Sequence, residues 1–128
     1  MEYLFILGRV LLGGYFMMNG FNHFKHLQNM TGYAASKGVP MPKLAVSITG
    51  LMLLLGGAGI LLGVYVTYAV KLLVVFLVGV TFNMHQFWKI ADPMQRMGEE
   101  VNFYKNLGLL GAVLMLLSIP LPWALSLF

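Results

Sequence analysis

Four apolar stretches occupy almost the whole of this 128-residue chain, and they dictate its solvent. Residues 44–63 and 107–128 carry no charge, 3–22 carry only Arg9, and 65–88 only Lys71. A helix that crosses the hydrocarbon core of a bilayer needs about 20 mostly apolar residues, and only helices or closed barrels satisfy their own backbone there. Each stretch has that length. The expected fold is an all-α membrane protein, a four-transmembrane-helix bundle, with helices at about 3–22, 43–63, 65–88 and 102–126 in a single integral-membrane domain of residues 1–128.

Composition agrees with this reading. Hydrophobic residues make up 59% and charged residues 9%, whereas soluble domains run near 45–50% and about 25%. Cysteine is absent, which excludes disulfides, thiol catalysis, iron–sulfur clusters and c-type haem attachment. The net charge of +4 comes from scattered cations. Such cations suit anionic lipid headgroups at helix ends and do not form a phosphate-tracking patch for nucleic acid. The leading Met1-Glu2-Tyr3 segment carries an acid where a signal peptide carries a basic cluster, and no small-x-small cleavage site follows Gly20.

Between the first two stretches, Phe24, Leu27, Met30 and Ala34 recur at helical spacing among polar residues. They predict a short amphipathic helix over about 24–37 at the membrane interface, capped by Gly38 and followed by the turn-forming run Gly38-Val39-Pro40-Met41-Pro42. Residues 89–101 are the other polar segment, read as a loop, and Pro120 and Pro122 are expected to kink or end the last helix. Gly59-x-x-x-Gly63 reads as a helix-contact motif within the bundle. Four crossings put residues 23–42 and 89–101 on one side, together with Lys25, Lys37, Lys43, Lys89, Arg96 and Lys105. The positive-inside rule makes that side cytoplasmic and places both termini outside.

Function must lie in the polar residues that the helices carry into lipid. Asn19, Asn22, His23 and His26 share one helical face, and Asn102, Lys105, Asn106 and Leu109 share another. Asn83 and His85 reach the same loop-side layer. If these faces meet, a polar pocket forms below the loop-side surface, in which His85 exchanges a proton at a ligand carbonyl and Lys105 and Asn106 donate hydrogen bonds. The plainer alternative is that asparagines bridge helix ends and Lys105 snorkels to water. Arg9 and Lys71 form a second layer near the opposite surface. No Asp or Glu lies between Glu2 and Asp92. Both cations are therefore expected to snorkel, or else Arg9 turns to backbone carbonyls, Glu2, or an anionic or carbonyl-bearing ligand. His23 and His26 at i, i+3 could share a metal, but no third ligand has a diagnostic position and none is assigned.

The chain resembles the DoxX family of small four-helix membrane proteins over nearly its whole length. Arg9-Val10-Leu11-Leu12-Gly13 with Phe16 and Gly20 carries the likeness in the first helix. Tyr33-Ala34, Gly38-Val39-Pro40-x-Pro42, Gly56-Gly57 and Leu61-Leu62-Gly63 continue it. The most specific part is His85-x-Phe87-Trp88, Asp92-Pro93 and Phe103-x-Lys105-Asn106-Leu107-x-Leu109-Leu110-Gly111. The resemblance implies a bacterial inner-membrane protein. Some relatives look like subunits of thiosulfate:quinone oxidoreductase, others associate with oxidative-stress systems, and distant ones act as membrane chaperones. Many relatives carry a Glu just before the paired glycines, where this chain has Leu51-Met52-Leu53-Leu54-Leu55, and often Gly-x-x-Lys where it has Asn19 to His23. Loss of that acid weakens redox catalysis by this chain alone.

The leading expectation is an accessory membrane subunit of a redox or quinone-linked system, not catalytic alone. A quinone or similar lipid-soluble ligand would be held by Arg9, Asn19, His23, Asn83, His85, Trp88, Lys105 and Asn106. An assembly factor or scaffold is the alternative, with protein subunits or a second copy as partners beside the bilayer. A small transporter ranks third, because no intramembrane acid couples ions and no repeat offers alternating access.

Overall fold

The computed structural model describes residues 2–123, and these are helical almost throughout. Helix α1 spans Glu2–Lys25, α2 Leu27–Ser36, α3 Pro42–Leu62, α4 Val66–Met84 and α5 Pro93–Met115. Among the described residues α1, α3, α4 and α5 are each long and apolar enough to cross a membrane. Short 3-10 turns follow α4 at Phe87–Lys89 and α5 at Leu116–Ser118.

The interfacial helix α2 ends as its sequence predicts. Gly38 adopts φ 80°, its N–H bonds Ala35, and the Val39 N–H bonds Ala34. This is a Schellman closure, in which the left-handed residue lets two later amides satisfy the last carbonyls of the helix. α3 closes differently from the sequence reading. Gly59 does pack, since a Cβ there would lie 2.5 Å from the Ala69 Cβ of α4. Gly63 is buried and is also the left-handed C-cap of α3 at φ 71°, so it turns the chain as well. The turn then needs a second positive φ, at Tyr65.

The last helix departs furthest from expectation. α5 starts at Pro93, nine residues before the expected 102, and it ends at Met115 instead of 126. Asp92 accepts a hydrogen bond from the Gln95 amide at 2.9 Å, and Pro93 occupies the first helical position. Asp-Pro is a start signal whatever the polarity of the following turn; hydropathy alone hid it. At the other end Ile119 is extended, as the residue before Pro120 tends to be. The expected residues 124–126 lie outside the described part.

α1 packs on α3, α3 on α4, and α4 on α5, with α2 lying against α3. The α1–α3 seam is built on glycine. A Cβ on Gly13 would lie 2.7 Å from the Gly57 carbonyl oxygen, and one on Gly20 would lie 2.8 Å from that of Gly50. Gly13 and Gly20 are seven residues apart, as are Gly50 and Gly57, so each pair returns to one face after two turns. In lipid no hydrophobic drive separates helix from solvent, and close backbone approach holds such a seam. α1 and α5, at the two ends of the row, scarcely meet along most of their length. Near the termini the gap closes: Trp123 stacks edge-on against Phe5 at 5.1 Å and joins Phe16, Ile60, Val66 and Val113 in the core.

Candidate functional site

Because α1 and α5 stand apart while α2 crosses the loop side, the bundle encloses a cavity of about 590 Å³ just below α2. Phe16, Leu53, Phe76 and Leu77 give it apolar walls, and Tyr33, Lys37 and Val39 of α2 and its connector roof it. Six of the eight candidate residues line it: Asn19, His23, Asn83, His85, Lys105 and Asn106. Of the two faces expected from spacing, Asn19 and His23 on α1 and Lys105, Asn106 and Leu109 on α5 reach this one space, while Asn22, His26 and Asn102 do not line it.

The local bonding of these groups leaves specific atoms available. Asn19 donates one amide hydrogen to the Tyr15 carbonyl at 3.1 Å, and Asn83 one to Gly79 at 2.7 Å. Each keeps its side-chain oxygen as an acceptor and a second N–H as a donor. His23 is 8% exposed, and its Nδ1 lies 2.8 Å from the Asn19 carbonyl. A carbonyl only accepts, so Nδ1 carries the hydrogen, and Nε2 is an acceptor while the ring is neutral. Asn106 is likewise 8% exposed, and Lys105 stands at the cavity edge on the open side. Among the described residues neither makes a side-chain hydrogen bond. At Gly79 a Cβ would meet nothing, so the missing side chain leaves cavity space, not a helix contact.

Glu99 is the member that sequence reading missed. Its carboxylate accepts from the Tyr33 hydroxyl at 2.5 Å and from Asn102 at 3.2 Å, and it pairs with Lys37 at 3.0 Å. It also lies 3.4 Å from His85 Nδ1. One acid therefore ties the roof helix α2 to α5 and orients the histidine that ends α4. Burial and the neighbouring carboxylate push the Tyr33 phenol above its ordinary range, so it remains a donor. The signal is present in the sequence, since Glu99 stands three residues before Asn102 on the polar face of α5, but the low hydropathy of that turn hides the helix it belongs to.

Two candidates lie elsewhere. Arg9 does not snorkel. It is 4% exposed and turned inward, with Nε donating to the Ile60 carbonyl at 3.3 Å and a terminal nitrogen to Leu61 at 3.1 Å. Those carbonyls belong to the last turn of α3, where helices leave acceptors unsatisfied and carry partial negative charge. Its guanidinium also sits over the rings of Phe5 and Trp123, at 5.7 and 5.6 Å. Arg9 thus seals the floor of the bundle near the termini, away from the cavity. Lys71 is exposed and rests over Tyr68 at 5.7 Å, as a snorkelling lysine would. Trp88 is outside the cavity as well. It belongs to an exposed aromatic cluster with Phe87, Phe103 and Tyr104, of the kind that sits at membrane–water interfaces. Among the described residues no group of three His, Asp or Glu side chains could hold a metal ion.

Chemically, the cavity offers donors and acceptors on one polar side and aliphatic or aromatic walls elsewhere. Such a combination is chemically suited to a lipophile carrying one or two carbonyls. The DoxX family model matches residues 4–86. Inner membrane protein YphA of Escherichia coli (strain K12) is 30% identical over 125 residues, covering 97% of this chain and 87% of the relative. No solved structure matches.

Proposed function

The chain belongs to the DoxX family, and on that premise we propose that it is an accessory membrane subunit of a redox system that holds a quinone or similar carbonyl-bearing lipophile in the loop-side cavity. The carrying observation is the convergence of Asn83, His85, Lys105 and Asn106 on one apolar-walled space of about 590 Å³. His85, backed by Glu99, exchanges a proton at one carbonyl, while Lys105 and Asn106 donate to another. The chain sits in a bacterial inner membrane with residues 23–42 and 89–101 facing the cytoplasm, a placement supported by the cations on that side and by the relative's inner-membrane name. A terminal reporter fusion active only in the cytoplasm would overturn that orientation.

The test is mass spectrometry of organic extracts from protein purified in mild detergent. Wild type is expected to carry stoichiometric quinone. Both His85→Ala/Lys105→Ala and Gly79→Leu should lose it, the first by removing donors and the second by occupying cavity space at a position where a Cβ meets nothing within 4 Å. No quinone in any sample would sink the reading.

One observation favours a second reading, a scaffold for partner proteins. A Cβ on Gly98, Gly108 or Gly111 of α5 would meet nothing, so these small residues are spare of any contact within the described chain. On that reading, leucine at Gly108 and Gly111 abolishes partner pulldown while His85→Ala leaves it intact.

A further inference from the structure

The gap between α1 and α5 is more than a packing defect. On the bilayer side it forms a groove of about 400 Å³ lined by Gly8, Leu11, Leu12 and Tyr15 of α1 and by Lys105 and Leu109 of α5. Tyr15, Lys105 and Leu109 also line the large cavity, so the two spaces adjoin along that shared wall. From Gly8 to Tyr15 the groove follows α1 for about 10 Å, at about 1.5 Å per residue.

We infer that this groove is a lateral port, through which a single-tailed lipophile enters from the bilayer and leaves its tail along Leu11, Leu12 and Leu109 with its carbonyl head at Lys105. This rests on the cavity reading above and adds the route and the shape of the ligand. Two observations carry it. First, the groove is apolar along its length and polar only where it meets the cavity, which is the polarity profile of an isoprenoid or acyl chain ending in a polar head. Second, Lys105 stands at that junction inside a membrane-spanning helix, and among the described residues its ammonium has no hydrogen-bond or ion-pair partner. Lys105 is exposed at that rim, so its ammonium is free to donate to the carbonyl head of a lipophile arriving through the groove. Gly8 completes the channel: a Cβ there would meet nothing within 4 Å. A two-tailed phospholipid does not suit a slot bounded by only two helices.

Two photoreactive quinones test this with the full chain in phospholipid nanodiscs, one carrying its diazirine on the ring and the other in the first part of the tail. The ring probe is expected to label residues near Asn83, His85 and Asn106. The tail probe is expected to label Leu11, Leu12 and Leu109. Gly8→Leu, whose Cβ meets nothing within 4 Å and whose side chain would occupy the groove, should cut tail labelling there by about tenfold, whereas Gly14→Leu, on the same helix at another open position outside the groove, should leave it unchanged. Ring labelling in the cavity with tail labelling spread over other lipid-facing helices, or indifferent to Gly8→Leu, would overturn the port and leave the cavity reading standing. Absence of ring labelling in the cavity would remove both.

Discussion

Replacing Gly57 by alanine should loosen the α1–α3 seam, and the structure allows the effect to be sized. The added Cβ would lie 2.7 Å from the Gly13 carbonyl oxygen and 2.8 Å from both the Met17 backbone nitrogen and its Cγ. Ordinary contact begins near 3.4 Å. Two of the three obstacles are backbone, so no rotamer change relieves them, and the helices must part by about 0.7 Å, the difference between 3.4 and 2.7 Å. That separation propagates along the seam, because Gly20 and Gly50 repeat the same close approach two turns away. Overpacking of this kind costs about 1–3 kcal/mol. The proper control is Gly14→Ala on α1, where the new methyl meets nothing. Both substitutions gain the same helix propensity, about 0.5–1 kcal/mol, so the difference between them isolates packing. Reversible unfolding in mixed dodecylmaltoside and dodecylsulfate micelles measures that difference. Variants matching to within about 0.5 kcal/mol, the usual scatter of neutral changes, would refute the claim that glycine proximity holds α1 to α3.

Three further outcomes follow from named contacts. Arg9→Leu removes two charge-assisted bonds to the end of α3 and should destabilise the bundle by about 1.5 kcal/mol or more, while quinone retained per folded molecule stays constant; a drop in retention would return Arg9 to the ligand site. Asp92→Ala should cost about 1 kcal/mol and speed amide exchange in the first turn of α5, and unchanged exchange there would show that the cap does not hold that turn. Tyr33 titrates above its ordinary value in the folded chain. Its bond to Glu99 therefore stabilises the fold below the unfolded tyrosine pKa of about 10 and is lost as pH rises toward the folded value. The stability gap between wild type and Tyr33→Phe should hold steady at neutral pH and narrow at strongly alkaline pH; a gap independent of pH would show that the phenol does not hold Glu99.

Much of the candidate site's placement was legible because helical periodicity is local. Asn19 and His23 on α1, and Lys105 and Asn106 on α5, fall on predictable faces, and chain direction puts all of them on the loop side. Glu99 was missed because its turn is polar, and length of apolar run says nothing about a helix that starts in the headgroup region. For Arg9 the sequence leaves snorkelling and backbone carbonyls both open, and the structure takes the second. Snorkelling is the default for a lone intramembrane cation, and only the position of the end of α3 beside α1 supplies the carbonyls that draw the side chain inward.

The sequence by itself determined the solvent, the count of crossings, the interfacial helix with its glycine closure, and the side on which polar residues gather. Those properties depend on composition and on spacing within one helix, so a single chain segment carries them. Only the tertiary structure decided which glycines meet, that Gly63 caps α3 in the left-handed conformation, that Glu99 joins α2 to His85, and that α1 and α5 stand apart beside a cavity. In a bilayer nearly every face of an apolar helix is equally soluble. Pairing is then settled by backbone approach and buried polar contacts between segments distant in sequence, and periodicity within one helix does not encode them.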